Sequence, residues 1–292
     1  MKNTNNTLAN IPLMIMAMMT ASNIQAQTSG PGQYASVNGI NMYYEIHGTG
    51  KPLVLLHGGG STIYTSFARI LPALAKTHQV IAVELQAHGH TGDRNAPETF
   101  TQDADDVAEL LRQLNIPKAD VFGFSNGGHT CLELAIRHPD RVNKLIIASA
   151  FYKRDGVPAG FWKGFDNPKF SDMPQIYKDE YLKIKDESAL MNMFNKDVQR
   201  MFLFKDWKKE DIASIQAPAL VVIGDRDLPT PEHAAEMARL MPHGRLAILP
   251  GGHGEYFGEA FFPDNGSKMP EVFTALIEDF LAAPAPRDNA HN

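Results

Sequence analysis

Cysteine is almost missing from this sequence: Cys131 stands alone among 292 residues, so an intramolecular disulfide framework is excluded. It also lies far from the amino terminus, where a lipid-anchored export signal would need it. Cys131 sits within Thr130-Cys131-Leu132-Glu133-Leu134-Ala135, which reads as a helix with one buried face, so the thiol is expected to be packed rather than reactive. An excess of basic charge is missing too. With 27 Lys and Arg against 33 Asp and Glu, the formal net charge is -6, and the signs are interspersed. That leaves no basic stripe to neutralise phosphates, which excludes nucleic acid as the expected partner. No apolar run approaches the roughly 20 residues that span a bilayer, and no internal repeat or low-complexity tract is evident.

The first residues follow a different rule from the rest. Lys2 is followed by the apolar run Ile11 to Met19 and then by small and polar residues through Ala26. This is the order of a secretory signal peptide, expected over residues 1–26 with cleavage before Gln27. The mature protein is therefore expected to be periplasmic or secreted, without stable membrane insertion after signal cleavage.

With 43% hydrophobic residues, the remaining chain can bury a substantial core. From Tyr34 onward, strand-like apolar runs alternate with amphipathic helical ones, the pattern of an α/β fold with a mostly parallel sheet covered on both faces. Val37 and the run from Ile40 to Ile46, joined by Asn38-Gly39, predict an opening hairpin. Further strands are expected at Pro52–Leu56, Val80–Leu85, Ala119–Gly123, Lys144–Ala148, Pro218–Gly224 and Arg245–Leu249. Helices are expected at Ile63–Lys76, from an N-cap at Thr101 to Asn115, and at Gly127–Arg137, Glu232–Leu240 and Pro270–Leu281. Asp103, Asp105 and Asp106 then fall in a first turn, where the helix dipole favours negative charge. Between residues 150 and 216 the strand rhythm stops and aromatic residues alternate with charged ones at helical spacing, so a helical cap is expected there. The core thus comprises residues 34–149 and 217–282, with a disordered tail over 283–292.

The chemistry concentrates in glycine-rich segments beside strand ends. Gly123-Phe124-Ser125-Asn126-Gly127 matches Gly-X-Ser-X-Gly between a strand and a helix, where a sharp turn exposes the hydroxyl. His57-Gly58-Gly59-Gly60 follows an upstream strand, a position suited to supplying an oxyanion-hole amide. Gly59 is the chosen donor, with Gly60 as the alternative, and Asn126 supplies the other main-chain N–H. The His57 ring is expected to bind the loop. A serine hydroxyl needs a base within hydrogen-bond reach and a third group to orient that base. His253, in Pro250-Gly251-Gly252-His253-Gly254, is the candidate base, and Asp227 in Gly224-Asp225-Arg226-Asp227 is preferred over Asp225 as its partner. His88-Gly89-His90 lacks a third ligand at zinc-like spacing and is read as a loop. No cofactor or metal is required.

On these motifs the chain resembles α/β-hydrolase-fold serine hydrolases of the single-cap esterase and C–C hydrolase type, from about Val37 to Leu281. The resemblance implies a mostly parallel sheet of about eight strands, with the cap inserted after the sixth. It departs from the usual pattern at Glu84, where an aspartate is common, and at Gln86-Ala87, where an arginine-glycine pair is frequent. Ser125 in place of aspartate argues against haloalkane dehalogenases and epoxide hydrolases. The implied function is hydrolysis of a carboxylic ester of a small or medium, largely apolar small-molecule substrate through an acyl-enzyme. C–C bond hydrolysis or a proline-releasing peptidase would use the same residues, and a non-catalytic binding protein would be expected to have lost one of them.

Overall fold

The computed structural model describes residues 32–284; the expected signal peptide and the tail from residue 285 lie outside them. Eight strands form one sheet: β1 (Gln33–Val37), β2 (Ile40–His47), β3 (Lys51–Leu56), β4 (His78–Val83), β5 (Ala119–Phe124), β6 (Val142–Ala148), β7 (Ala219–Gly224) and β8 (Gly244–Leu249). Their spatial order is β1-β2-β4-β3-β5-β6-β7-β8. Only β1–β2 and β2–β4 pair antiparallel; the remaining neighbours run parallel. The helices are α1 (Ile63–Phe67), α2 (Leu71–Leu74), α3 (Phe100–Gln113), α4 (Asn126–Arg137), α5 (Ala159–Asp166), α6 (Gln175–Leu182), α7 (Glu187–Phe202), α8 (Lys209–Ala213), α9 (Pro231–Leu240) and α10 (Met269–Ala282).

The central strands read as unbroken apolar runs because both sheet faces are covered. Val54 and Leu56 of β3 and Val121 of β5 face the layer containing α3, α4 and α9. Their neighbours Leu53, Leu55 and Phe122 face the opposite layer, with Phe67 of α1 and Phe273 and Ile277 of α10. Residues of β5 are buried throughout, so its carboxyl end is a rigid base for whatever follows. Cys131 is buried in the first layer.

Two helical expectations need correction. The segment 63–76 is not one helix: it stops after Phe67 and restarts at Leu71. Pro72 lies in the first turn of α2, and its missing N–H cannot continue the ladder back to Ala68. The N-cap of α3 is Thr99, whose hydroxyl accepts the Gln102 amide at 3.0 Å, rather than Thr101. Of the three aspartates only Asp103 lies in the first turn, and all three bind cations: Asp103 to Arg200, Asp105 to Arg137 and Asp106 to Arg94.

Between β6 and β7 the chain adds helices α5 to α8 and no strand. Its aromatic residues serve two purposes, and Phe151, Phe161 and Phe165 serve both. Phe151, Trp162 and Phe204 pack with Phe100 of α3, joining cap to core. Phe161, Phe165, Tyr177 and Phe194 line a cavity.

Candidate active site

Ser125 occupies the single residue between β5 and α4 with φ 54° and ψ −116°. A non-glycine residue there costs about 1–3 kcal/mol, which the surrounding structure must offset. The turn closes only because its flanks are bare. A Cβ on Gly123 would lie 2.1 Å from the Gly127 carbonyl oxygen, and one on Gly127 would lie 2.1 Å from that of Leu56. The Ser125 amide donates to Ala148 O at 2.9 Å, tying the turn to the end of β6.

Two further segments converge on this hydroxyl. His253 follows β8, and its Nε2 lies 3.0 Å from Ser125 Oγ. Its Nδ1 lies 2.7 Å from Asp227 Oδ1, beyond the end of β7. Because a carboxylate can only accept, Nδ1 carries the proton and Nε2 is left as acceptor for the serine hydroxyl. Burial would raise the Asp227 carboxyl, but hydrogen bonds from His253, Ser149 and the Gly224 amide outweigh it and hold the group below its ordinary value. Asp225 turns elsewhere and accepts the Gly251 amide at 2.9 Å. Of the two carboxylates, Asp227 is therefore the one that meets the imidazole.

The amides of Asn126 and Gly59 border the same cavity as Ser125. Neither donates to another group among the described residues. The Gly58 carbonyl accepts His57 Nδ1 at 2.7 Å and the Ser61 amide at 3.3 Å. In a trans peptide the N–H points opposite to the C=O, so that anchoring turns the Gly59 N–H away from the loop interior. The Gly60 amide is already engaged by Asp197 Oδ2 at 2.6 Å, which separates the two glycines considered from sequence. His57 is buried, and its Nε2 accepts the Leu85 amide at 3.0 Å. Burial pushes its pKa down to about 3, so it stays neutral.

Several residues of the site carried no sequence signal. Ser149, at φ 53° after β6, donates to Asp227 Oδ2 at 2.5 Å. Tyr177 of α6 donates to the buried Glu259 at 2.8 Å. Asp197 of α7 reaches the His57–Gly60 loop, and it also meets His88 Nε2 at 3.0 Å. None lies in a motif; only the folded chain brings them to the site. His88 and His90 have carboxylate partners, Asp197 and Glu84. At Ala87, where glycine is frequent in similar sequences, φ is 63°, so alanine takes the left-handed conformation that position requires.

Above Ser125, a cavity of about 570 Å³ is lined mainly by apolar groups, among them Phe161, Phe165, Met193, Phe194 and Phe261. Lys169, Asp172 and Asp197 are its charged lining residues.

Comparison with known proteins agrees with this architecture. Residues 51–178 match the family model described as alpha/beta hydrolase fold. The chain is 29% identical over 272 residues to the human serine hydrolase BPHL, covering 87% of each protein. It is 30% identical over 183 residues to 2-hydroxymuconate semialdehyde hydrolase of Pseudomonas, spanning 56% of this chain and 63% of that enzyme. The enol-lactonase from Burkholderia xenovorans LB400 superposes with a TM-score of 0.66 at 22% identity, over 86% of this chain and all of that one.

Proposed function

Taking the chain as the α/β-hydrolase-fold hydrolase that its fold and relatives show it to be, we propose that it is a serine esterase. Its substrate would be a small or medium, largely apolar carboxylic ester, cleaved through an acyl-enzyme. The observation that carries this reading is the relay from Ser125 Oγ to His253 Nε2 at 3.0 Å and from His253 Nδ1 to Asp227 Oδ1 at 2.7 Å.

In the first half-reaction Ser125 Oγ forms a bond to the ester carbonyl carbon as His253 Nε2 takes the hydroxyl proton. The carbonyl electron pair moves onto oxygen, where the Asn126 and Gly59 amides stabilise it; one such donor contributes about 3 kcal/mol. Collapse breaks the C–O bond, and His253 protonates the leaving alkoxide. Water then attacks the acyl-enzyme with His253 as base, releasing the acid and restoring the serine. Asp227 holds the imidazole in the tautomer that accepts at Nε2. The Asp227 side chain is fully buried, so bulk water does not compete with the imidazole for its oxygens.

Cavity size and lining favour acyl or alkyl groups that bury apolar surface. The similarity to a 2-hydroxymuconate semialdehyde hydrolase supports a second reading, C–C cleavage beside a ketone with the same residues. The apolar run Ile11 to Met19 supports export; amino-terminal sequencing of the exported protein should then begin near Gln27.

The test is a panel of p-nitrophenyl esters with acyl chains of graded length, run beside vinylogous ketones. Ester turnover should dominate, and Ser125→Ala should reduce kcat/KM by at least about 10⁴-fold. Ester turnover that survives this substitution, or failure of an organophosphonate to label Ser125, would sink the reading.

A further inference from the structure

Asp197 belongs to cap helix α7, yet its carboxylate is committed to the core loops that frame the oxyanion hole. Oδ2 accepts the Gly60 amide at 2.6 Å and faces His88 Nε2 at 3.0 Å. Oδ1 accepts Asn126 Nδ2 at 3.3 Å and also contacts the Arg200 guanidinium. Two of the three contacted core segments contain the hole donors: Gly60 follows Gly59, and Asn126 is itself the second donor. The packing leaves no slack, since a Cβ on Gly59 would stand 2.4 Å from Asn126 Nδ2 and 3.2 Å from Asp197 Oδ2.

The carboxylate is held as an anion. Burial would raise it, but the Arg200 guanidinium and the His88 imidazolium beside it hold it well below the usual carboxylate range. Arg200 is tied in turn to Asp103 of α3 at 2.8 Å. His88 Nδ1 faces the Gln86 carbonyl at 2.8 Å, an acceptor, and Nε2 faces Asp197, also an acceptor. Both ring nitrogens therefore carry protons, and the Gly60 N–H goes to the carboxylate rather than to the ring. With its oxygens occupied by these donors and its side chain 13% exposed, Asp197 has no lone pair aimed at a substrate.

We propose that Asp197 is a positioning residue through which the docked cap sets the oxyanion hole. It fixes the Gly59–Gly60 peptide and the Asn126 side chain, so the hole is complete only with α7 in place. This rests on the serine-esterase reading. A glycine-rich loop left to itself samples many peptide orientations, whereas a hole lowers the barrier only when its donors are aimed before charge develops.

The experiment compares Asp197→Asn with the parent in kcat, KM and affinity for an alkylboronic acid, whose adduct with serine places an oxygen in the hole. An amide turns one acceptor into a donor and removes the charge. The expected result is a kcat lower by about 10- to 100-fold, boronate affinity reduced in parallel, and KM within about threefold. Asn126→Ala keeps the main-chain donor and loses only its side-chain tie, so it should show the same pattern at about 3- to 10-fold. Lys196→Ala removes a different tie from the same helix, to Asp93 at 2.6 Å, and should leave kcat within about twofold. A well-folded Asp197→Asn with unchanged kcat and boronate affinity, or with a raised KM alone, overturns the proposal. Should that variant not fold, an Asn126→Ala enzyme with parental kcat overturns it equally. If Ser125→Ala keeps turnover, the esterase reading fails instead; if Ser125→Ala is dead and Asp197→Asn is parental, only the positioning role falls.

Discussion

The corner that holds Ser125, His253 and Asp227 and the seam that joins α7 to the core are both built to tight geometry, by opposite means. At the corner, main-chain groups do most of the holding: Asp227 accepts the Gly224 and Leu228 amides at 3.0 and 2.7 Å, and Ser125 is hung from Ala148 O. At the seam, buried side-chain charges do it. Arg200 meets Asp103, Asp197 and, at 3.6 Å, Glu98, with Asp103 and Glu98 buried and Asp197 at the cavity wall. A main-chain scaffold survives most substitutions around it, while a buried charge network depends on every member.

That difference sets the size of the expected effects. The largest is at the corner: Asp227→Asn should lower kcat by about 10³- to 10⁴-fold through the wrong imidazole tautomer. Asp225→Asn should change it less than about threefold, because an amide oxygen still accepts the Gly251 amide; steady-state ester kinetics on the two variants decide. Comparable losses would mean that the corner is not held as described.

At the seam, Arg200→Leu leaves Asp103 without its cation and Asp197 with only His88. Urea denaturation should show a loss of about 3–5 kcal/mol. A loss under about 1 kcal/mol would place the seam among ordinary surface contacts.

The smallest effect is in pH, and its sign differs between the two regions. Burial alone would lower His88, but Asp197 beside it raises it to about 9. A group bound more tightly by protons in the folded state stabilises fully below its unfolded value, near 6.5, and loses that contribution as pH rises through about 9. Glu98, raised chiefly by burial, changes in the same direction. Asp227 is lowered, so its contribution is present above the ordinary carboxylate range and lost as pH falls. The unfolding temperature should therefore decline between about pH 6.5 and 9, and His88→Gln should flatten that decline. A parental enzyme with no decline over that range would remove the charged His88–Asp197 pair.

How much could be read in advance followed from how local each determinant is. Strand alternation, the Asn38-Gly39 turn, with φ 43° and 89°, and the glycine-rich strand ends are written in neighbouring residues. The break in the 63–76 helix was also local, in Pro72, but the apolar periodicity around it masked the signal. Asp197 and Ser149 lie 71 and 78 positions from their partners Asn126 and Asp227, and nothing beside them marks a role. The cap aromatics show the same limit, because composition announced a helical insertion without telling which rings would face the cavity and which would pack on Phe100.

By itself the amino-acid order determined the alternating α/β layout, the position of the strained serine turn and the residue types available for acid–base chemistry, since each depends on backbone preference and short-range pattern. Only the tertiary structure decided which carboxylate meets the imidazole, which glycine amide is left free, and that a cap aspartate braces the loop beneath it. Those outcomes are set by distances of about 3 Å between groups remote in the chain, and such proximity exists only once the sheet has brought its loop ends together.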